Sequence, residues 1–235
     1  MMNLDDFEAL VRSRRSVRRF LPTPVPDDLL MRLLDAARWA PSGYNLQPTH
    51  FTVVADPEVK KKLHRACLSQ KQVLEAPAVV VFSGDREVAA HNLEAVLQVD
   101  ATAGGVSPEY AALLRKFVDL SFSRGPLGAG WLLKAASAPF LRLHKATPDI
   151  PAVEKKVWLV KQVMLAAMNF MLAAKAAGLD TVPMEGFDPS RVARVLNLPR
   201  AHVVPVVIPV GYAPDEKRVK TRLPLERLVH RDRWK

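Results

Sequence analysis

A single cysteine, Cys67, in 235 residues excludes an internal disulfide and makes a reducing cytoplasm the expected compartment. Aromatic residues make up only 7% of the chain, and none is interleaved with basic residues in the stacking series that single-stranded nucleic acids favour. Glycines number ten, and none builds the G-x-G-x-x-G turn of a resident dinucleotide site. The six histidines, at positions 50, 64, 91, 144, 202 and 230, share no ligand spacing with one another or with Cys67, so no metal is expected. Ser42-Gly43 lacks the flanking glycines of a nucleophile elbow, and Cys67 reads as a small buried hydrophobe. No segment is expected to span a bilayer, since the most apolar stretch, 157–177, is interrupted by Lys161, Gln162, Asn169 and Lys175. The opening MMNLDDFEAL is acidic and amphipathic, unlike a secretory leader.

Basic charge is abundant. The chain carries 34 Lys and Arg against 24 Asp and Glu, a formal +10, which favours an anionic partner: a nucleotide cofactor, nucleic acid or an acidic membrane surface. Much of the excess is concentrated at the two ends, in Arg12, Arg14, Arg15, Arg18 and Arg19 and again in Lys217, Arg218, Lys220 and Arg222. Ser13, Ser16 and Thr221 sit among them. Arginine is most often a solvated surface residue, but guanidinium forks beside hydroxyls also suit a terminal phosphate. Convergence of both ends on one phosphate is the more economical reading.

With 49% hydrophobic and 25% charged residues, the composition is globular, and the simplest organisation is one domain over residues 1–235. Helices are expected at 4–11 and 27–40, the second carrying Leu29, Leu30, Leu33, Leu34 and Ala37 as an apolar stripe closed by Pro41. A strand is expected at 50–55, a basic helix behind Asp56-Pro57 and a second strand at 78–82. The pattern is weak over 85–151 apart from helical spacing at 110–120, so this segment is expected to be an insertion or lid. The long apolar helix at 157–177 ends at Gly178, a suitable left-handed cap. A strand at 181–184, a short helix opened by Asp188-Pro189, a strand at 203–210 and a polar, basic tail complete the chain. Short strands separated by helices give a mixed α and β class.

Between the second helix and the first strand, Pro41-Ser42-Gly43-Tyr44-Asn45-Leu46-Gln47-Pro48 places amide and hydroxyl groups in a loop held between two prolines. By composition it is an ordinary connector. Read together with Arg14-Arg15-Ser16-Val17-Arg18-Arg19-Phe20, with Trp158 to Val163 and Asn169-Phe170, with the run Gly178 to Phe187 and with Lys220-Thr221-Arg222-Leu223-Pro224-Leu225, however, it resembles the nitroreductase family of FMN-dependent oxidoreductases. The match rests on the joint order of these segments, covers both ends of the chain, and leaves the middle unmatched.

The resemblance implies an α+β homodimer with a central, mainly antiparallel sheet flanked by helices. It places one FMN in each of two pockets at the subunit interface. The long apolar helix is then a dimer contact. By carry-over, Arg14, Ser16, Lys220 and Arg222 hold the phosphate, with Arg15 beside them, and the loop at Pro41, Ser42, Gly43 and Asn45 reaches the flavin from the partner. Pro183, Met184, Glu185 and Gly186 line one face of the isoalloxazine, with a backbone N–H near Glu185 or Gly186 directed at N5. Gln162 approaches the cofactor, and Arg18 stabilises negative charge at the pyrimidine end. Gln72 stands where the family often has a second cation.

The implied activity passes hydride from NADH or NADPH through the flavin to nitroaromatics, quinones or similar electrophiles. Dehalogenation, enone reduction and flavin modification are alternatives on the same scaffold. A nucleic-acid-binding module using the basic ends is the alternative from another class. The 85–151 segment is expected to tune substrate choice, with Phe117, Phe122, Trp131 and Phe140 as a candidate aromatic wall or as plain core.

Overall fold

The computed structural model describes residues 3–123, 129–144, 146, 154–214 and 219–234. Lys217, Arg218, the side chain of Trp131 and the end of the 85–151 segment lie outside the described residues. Helix α1 (Leu4–Ser13) opens with a capping box between Asn3 and Asp6 and is followed by α2 (Asp27–Arg38). Strand β1 (Thr49–Val54) leads to α3 (Pro57–Ala66), the short α4 (Gln72–Glu75) and β2 (Ala78–Asp85). Three helices come next, α5 (Val88–Thr102), α6 (Pro108–Phe122) and α7 (Ala129–His144), then the long α8 (Lys155–Ala176). Strand β3 (Asp180–Thr181), α9 (Pro189–Val195) and β4 (His202–Gly211) end the regular structure, apart from a 3-10 turn at Leu225–Arg227. Asp56 and Asp188 accept backbone N–H bonds at the starts of α3 and α9, each followed by proline. Gly178 closes α8 at φ +78°.

The four strands form one antiparallel sheet in the order β1-β2-β4-β3. Every residue of β2 is buried, as a central strand covered on both faces requires. Strand alternation sends Ala78, Val80 and Phe82 to one face, against α2 and against Val163, Ala167 and Phe170 of α8. Val79 and Val81 point the other way, toward Leu63 and Ala66 of α3 and Val192 of α9. The sheet is thus the middle layer of three.

At Gly84 of β2, a Cβ would stand 2.9 Å from Val163 Cγ2 and 3.2 Å from Leu159 Cδ2. Glycine therefore sets how closely α8 lies on the sheet. Gly84→Ala is expected to cost about 1–3 kcal/mol by overpacking, measured by chemical denaturation, and Val163→Ala in the same chain to recover part of it. An undiminished Gly84→Ala protein would contradict this account.

Three expectations need correction. The 85–151 segment is not loosely patterned: α5, α6 and α7 occupy it, and Val88, Leu97, Leu114, Val118 and Phe122 form a small core of their own with Leu46. Its apolar positions are spread thinly around each helix, which blurs the period. The expected strand at 181–184 shortens to two residues, because Pro183 has no N–H for the ladder; Met184 regains a single bridge to Val207. Finally, α8 is by length and composition apolar enough to cross a membrane. Here that apolar length serves the core, with Leu159, Val163, Ala166, Ala167, Phe170, Met171 and Ala174 all buried.

The start of β4 and the end of β2 gather polar groups. The His50 and His202 rings lie 4.8 Å apart, Ser83 Oγ is 3.0 Å from His202 Nδ1, and buried Asp85 is 2.6 Å from His91 Nδ1. Burial first, and then the neighbouring charges of His50 and His91, hold the His202 pKa below the usual 6.5, partly opposed by Asp85. The folded chain therefore binds this proton less readily than the unfolded one, and stability falls as pH drops below the ordinary histidine value. His202→Asn should lose less stability than the parent between about pH 7 and about pH 5 in urea titrations.

Candidate functional site

Beyond α1 the chain is extended. Ser16 bridges to Thr181 of β3, and the Val17 N–H donates to the Thr181 carbonyl at 3.1 Å. Val17 and Phe20 pack into the core layer beneath the sheet, while Ser16 and Arg18 face outward, both exposed.

The C-terminal cluster returns to the same place. Lys220 Nζ donates to the carbonyl oxygens of Val11 at 2.9 Å, Arg12 at 3.2 Å and Arg14 at 2.9 Å. These carbonyls stand at the end of α1, where helical partners run out and the dipole is negative. The geometry thus gives Lys220 a different task from the phosphate contact expected of it. Its three protons fasten the two terminal segments together, while its charge stays in the cluster.

Arg14 is half-buried, and its Nη1 is buried without a hydrogen-bond partner, as is the Thr181 hydroxyl. Burial and then Arg222 push the Arg14 pKa down; burial and then Arg14, Arg222 and Arg15 do the same to Lys220. Among the described residues no carboxylate forms an ion pair with Arg14, Arg15, Lys220 or Arg222. A buried guanidinium N–H without an acceptor, crowded by like charge, is a state that a bound anion relieves. The donor set fits a phosphate ester.

Farther along the β3 edge, Pro183 and Met184 lead to the exposed Glu185 and Gly186. Gln70 Nε2 donates to the Gly186 carbonyl at 2.6 Å, and the 93%-buried Gln72 donates to Gln70 Oε1 at 2.9 Å. Gln72 thus supports this loop through Gln70, a residue that the sequence reading did not single out. The only local mark of Gln70 is conformational: Leu68 and Ser69 before it have φ of +54° and +55°.

The 41–48 loop is strained in the same sense, with Tyr44, Asn45 and Gln47 at φ of +57°, +52° and +51°. Left-handed non-glycine residues persist only where their surroundings fix them. Here the Gln47 N–H donates to Ser42 Oγ at 2.9 Å and the Gly43 N–H to Gln162 Oε1 at 2.8 Å. Asn92 of α5, also missed in the sequence, donates to the Leu46 and Gln47 carbonyls at 3.0 and 3.2 Å. A Cβ on Gly43 would meet the Trp158 ring at 3.1 Å, and Tyr44 reaches Ser121 of α6 at 2.9 Å. The 85–151 segment therefore clamps this loop. Of the candidate wall residues, Phe122 is core, whereas Phe117 and Phe140 are exposed.

Gln162 accordingly belongs with the 41–48 loop and not with Glu185. The candidate residues form two groups. One runs along the β3 edge (Arg14 to Arg18, Gln72, Pro183 to Gly186, Lys220, Arg222), and the other enters β1 at the opposite edge (Pro41 to Asn45, Gln162). Three interstrand spacings separate those edges, about 14 Å.

Lys220→Met should loosen the last turn of α1. Hydrogen exchange is expected to speed up over residues 10–17 and stay unchanged in β2; unaltered exchange at α1 would refute the fastening role.

The nitroreductase family model matches residues 11–212. A protein of Thermus thermophilus named NADH dehydrogenase is 34% identical over 224 residues, covering 95% of each chain. A nitroreductase-like protein of Streptococcus mutans superposes with a TM-score of 0.77 at 26% identity, covering 97% of this chain and 98% of that one. An Exiguobacterium sibiricum structure solved in complex with FMN superposes at 0.72 with 23% identity, covering 98% and 97%.

Proposed function

The chain belongs to the nitroreductase family, and on that premise we propose that it is an FMN-dependent oxidoreductase. Its electron donor is NADH or NADPH, and its acceptors are nitroaromatics, quinones and related conjugated electrophiles. When bound, FMN would supply the redox chemistry, hydride transfer between donor and acceptor in alternating half-reactions. The names of the Thermus relative and of the FMN-bound neighbour support donor and cofactor respectively.

One observation carries the reading: a buried Arg14 Nη1 without an acceptor, inside a cationic cluster assembled from both ends of the chain. Arg14, Arg15, Ser16 and Arg222 would hold the FMN phosphate. Lys220 keeps their two segments in register through the carbonyls of α1. Gln72 and Gln70 fix the carbonyl of Gly186, which steadies the Glu185-Gly186 backbone that would face the ring system. Arg18 supplies positive charge where reduction places negative charge, an electrostatic stabilisation ready before the reaction. No side chain is assigned as acid or base, and solvent is the proposed proton source.

The two groups of residues on opposite sheet edges give the homodimer a structural motive. In a two-fold pair, the β3-edge group of one protomer and the Pro41 to Asn45 loop of its partner complete one site. The outward face of α8 offers Val157, Leu165 and Met168, 47%, 44% and 37% exposed, as apolar surface for that contact.

Freshly purified protein should be yellow and should bleach on anaerobic addition of NADH or NADPH. Arg14→Ala combined with Arg222→Ala should raise the dissociation constant for FMN by about 10- to 100-fold, the range for lost charge-assisted hydrogen bonds, with the far-UV spectrum preserved. Equal FMN retention by parent and variant would refute the phosphate assignment.

A further inference from the structure

A separate group of cations stands apart from the residues assigned to FMN. Helices α3 and α9 pack against each other on one face of the sheet, where Leu63 and Ala66 of α3 and Val192 of α9 share a core cluster. The Asp188 N–H, at the start of α9, donates to the Ala66 carbonyl, at the end of α3, at 2.9 Å. Outside this contact lies a small cavity of about 330 Å3, lined by Lys62, Arg65 and Ala66 of α3 and by Arg191, Arg194 and Val195 of α9. Ala66 is 2% exposed and Val195 packs against the same cluster, so the bottom of the cavity is the helix contact itself. Its other lining residues are all cations, and all are exposed.

Helical spacing fixes how these cations stand. Lys62 and Arg65 are three residues apart on α3, as are Arg191 and Arg194 on α9, which puts the Cβ atoms of each pair about 5–6 Å apart on one face. Packed helix axes lie about 8–10 Å from each other, so side chains as long as lysine and arginine converge from two sides on one small volume. Like charges at this spacing destabilise a helix. The helix dipole accounts for only two of the four: Arg65 and Arg194 are in last turns, where a cation is favoured, whereas Lys62 is mid-helix and Arg191 is in the first turn of α9, where the dipole opposes a cation. Asp188 Oδ2 meets Arg191 Nε at 3.3 Å, and its Oδ1 accepts from the Ser190 and Arg191 N–H groups. Among the described residues no carboxylate pairs with Lys62, Arg65 or Arg194, although the neighbouring Lys61 has Glu58 at 2.6 Å. One carboxylate against four converging cations leaves an excess of positive charge that a multiply charged anion would balance.

We propose that the cavity between α3 and α9 is a second anion site of this protein, and that its ligand is a small phosphorylated molecule, either a phosphomonoester or an inorganic polyphosphate. Arginine forks match phosphate oxygens. The volume is at the low end of the roughly 300–1,000 Å3 of small-molecule sites, which suits a phosphate group with a small appendage and not a dinucleotide. Ala66 and Val195 offer apolar surface to an organic substituent. None of the lining residues is among the candidate FMN contacts, and no part of the proposal rests on the flavin reading. Arg194 also borders a larger cavity, of about 1280 Å3, whose lining includes Arg86, Lys156, Arg200 and Glu185; that cavity reaches Glu185 and belongs with the candidate flavin site.

The test is calorimetric titration, at low ionic strength, of FMN-loaded protein cleared of free FMN, so that the Arg14 cluster is already filled. The probes are pyrophosphate and adenosine 5′-monophosphate. At least one should bind with a Kd below about 1 mM, and the tighter of the two identifies the source as inorganic or organic. Lys62→Gln with Arg65→Gln alters residues that line the smaller cavity and not the larger. It should weaken that binding about 10- to 100-fold while FMN retention and bleaching by NADH stay as in the parent. Should the variant not fold, hydrogen exchange of the parent decides: the bound probe should slow exchange over residues 62–66 and 188–195 and leave α5 and α6 unchanged. Absence of binding below about 1 mM by both probes, binding that the double variant leaves unaltered, or protection confined to other segments overturns the proposal, and none of these results touches the oxidoreductase reading.

Discussion

The ammonium group of Lys220, seated on three carbonyl oxygens at the end of α1, joins the end of the first helix to the C-terminal segment. Those carbonyls have lost their helical partners and need donors; a lysine with three protons meets the need without a carboxylate. That choice of donor has an electrostatic consequence. Closing the chain this way brings Arg14, Arg15, Lys220 and Arg222 together with no carboxylate paired to them among the described residues, and burial first, then these neighbouring charges, lowers the pKa values of Arg14 and Lys220. The closure of the fold and the demand for an anion are therefore one arrangement. A phosphate at Arg14 would satisfy the buried Nη1 and reduce the repulsion that the Lys220 contact creates.

The sheet sets the scale of the rest. Its four strands separate the β3-edge residues from the loop entering β1, and α8 crosses above, with Val160 and Met164 on the side of the cationic cavity and Trp158 and Gln162 on the side of the loop. A single helix therefore serves two regions of the candidate site through opposite faces, a direct result of the 3.6-residue period. Backbone strain is found at both regions, in 44–47 and in 68–69. In each the strained residues are followed or held by side-chain amides, Gln162 and Asn92 at one and Gln70 at the other. Amide hydrogen bonds fix these loops without adding charge, which leaves the field of the site to the arginines.

Much of the fold was legible because local rules and the fold agree. Asp56-Pro57 and Asp188-Pro189 do begin helices, Gly178 does end one, and the valine runs 78–82 and 203–210 are the two central strands. The region 85–151 was not legible, since its helices bury few residues each and pack against Leu46 and Trp158 from distant parts of the chain. Within the candidate site, the residue types were readable and the pairings were not. Gln70 and Asn92 carry no mark in the sequence, because the groups they hold lie 116 and 45 or more residues away. Lys220 was placed in the correct cluster, but its hydrogen-bond partners belong to backbone that no side-chain pattern reports.

By itself the amino-acid sequence determined the charge, the alternating and helical apolar patterns, and the ordered motifs that resemble a known family, all properties of residue identity and spacing along one dimension. The tertiary structure alone decided that Lys220 and Arg222 join Arg14 in one cluster, that Gln162 stands with the 41–48 loop, and that Arg86, Lys156, Arg194 and Arg200 line one cavity. The reason is physical. Electrostatic and hydrogen-bonding energies depend on distances through space, and these are fixed only when the apolar faces of sheet and helices have packed.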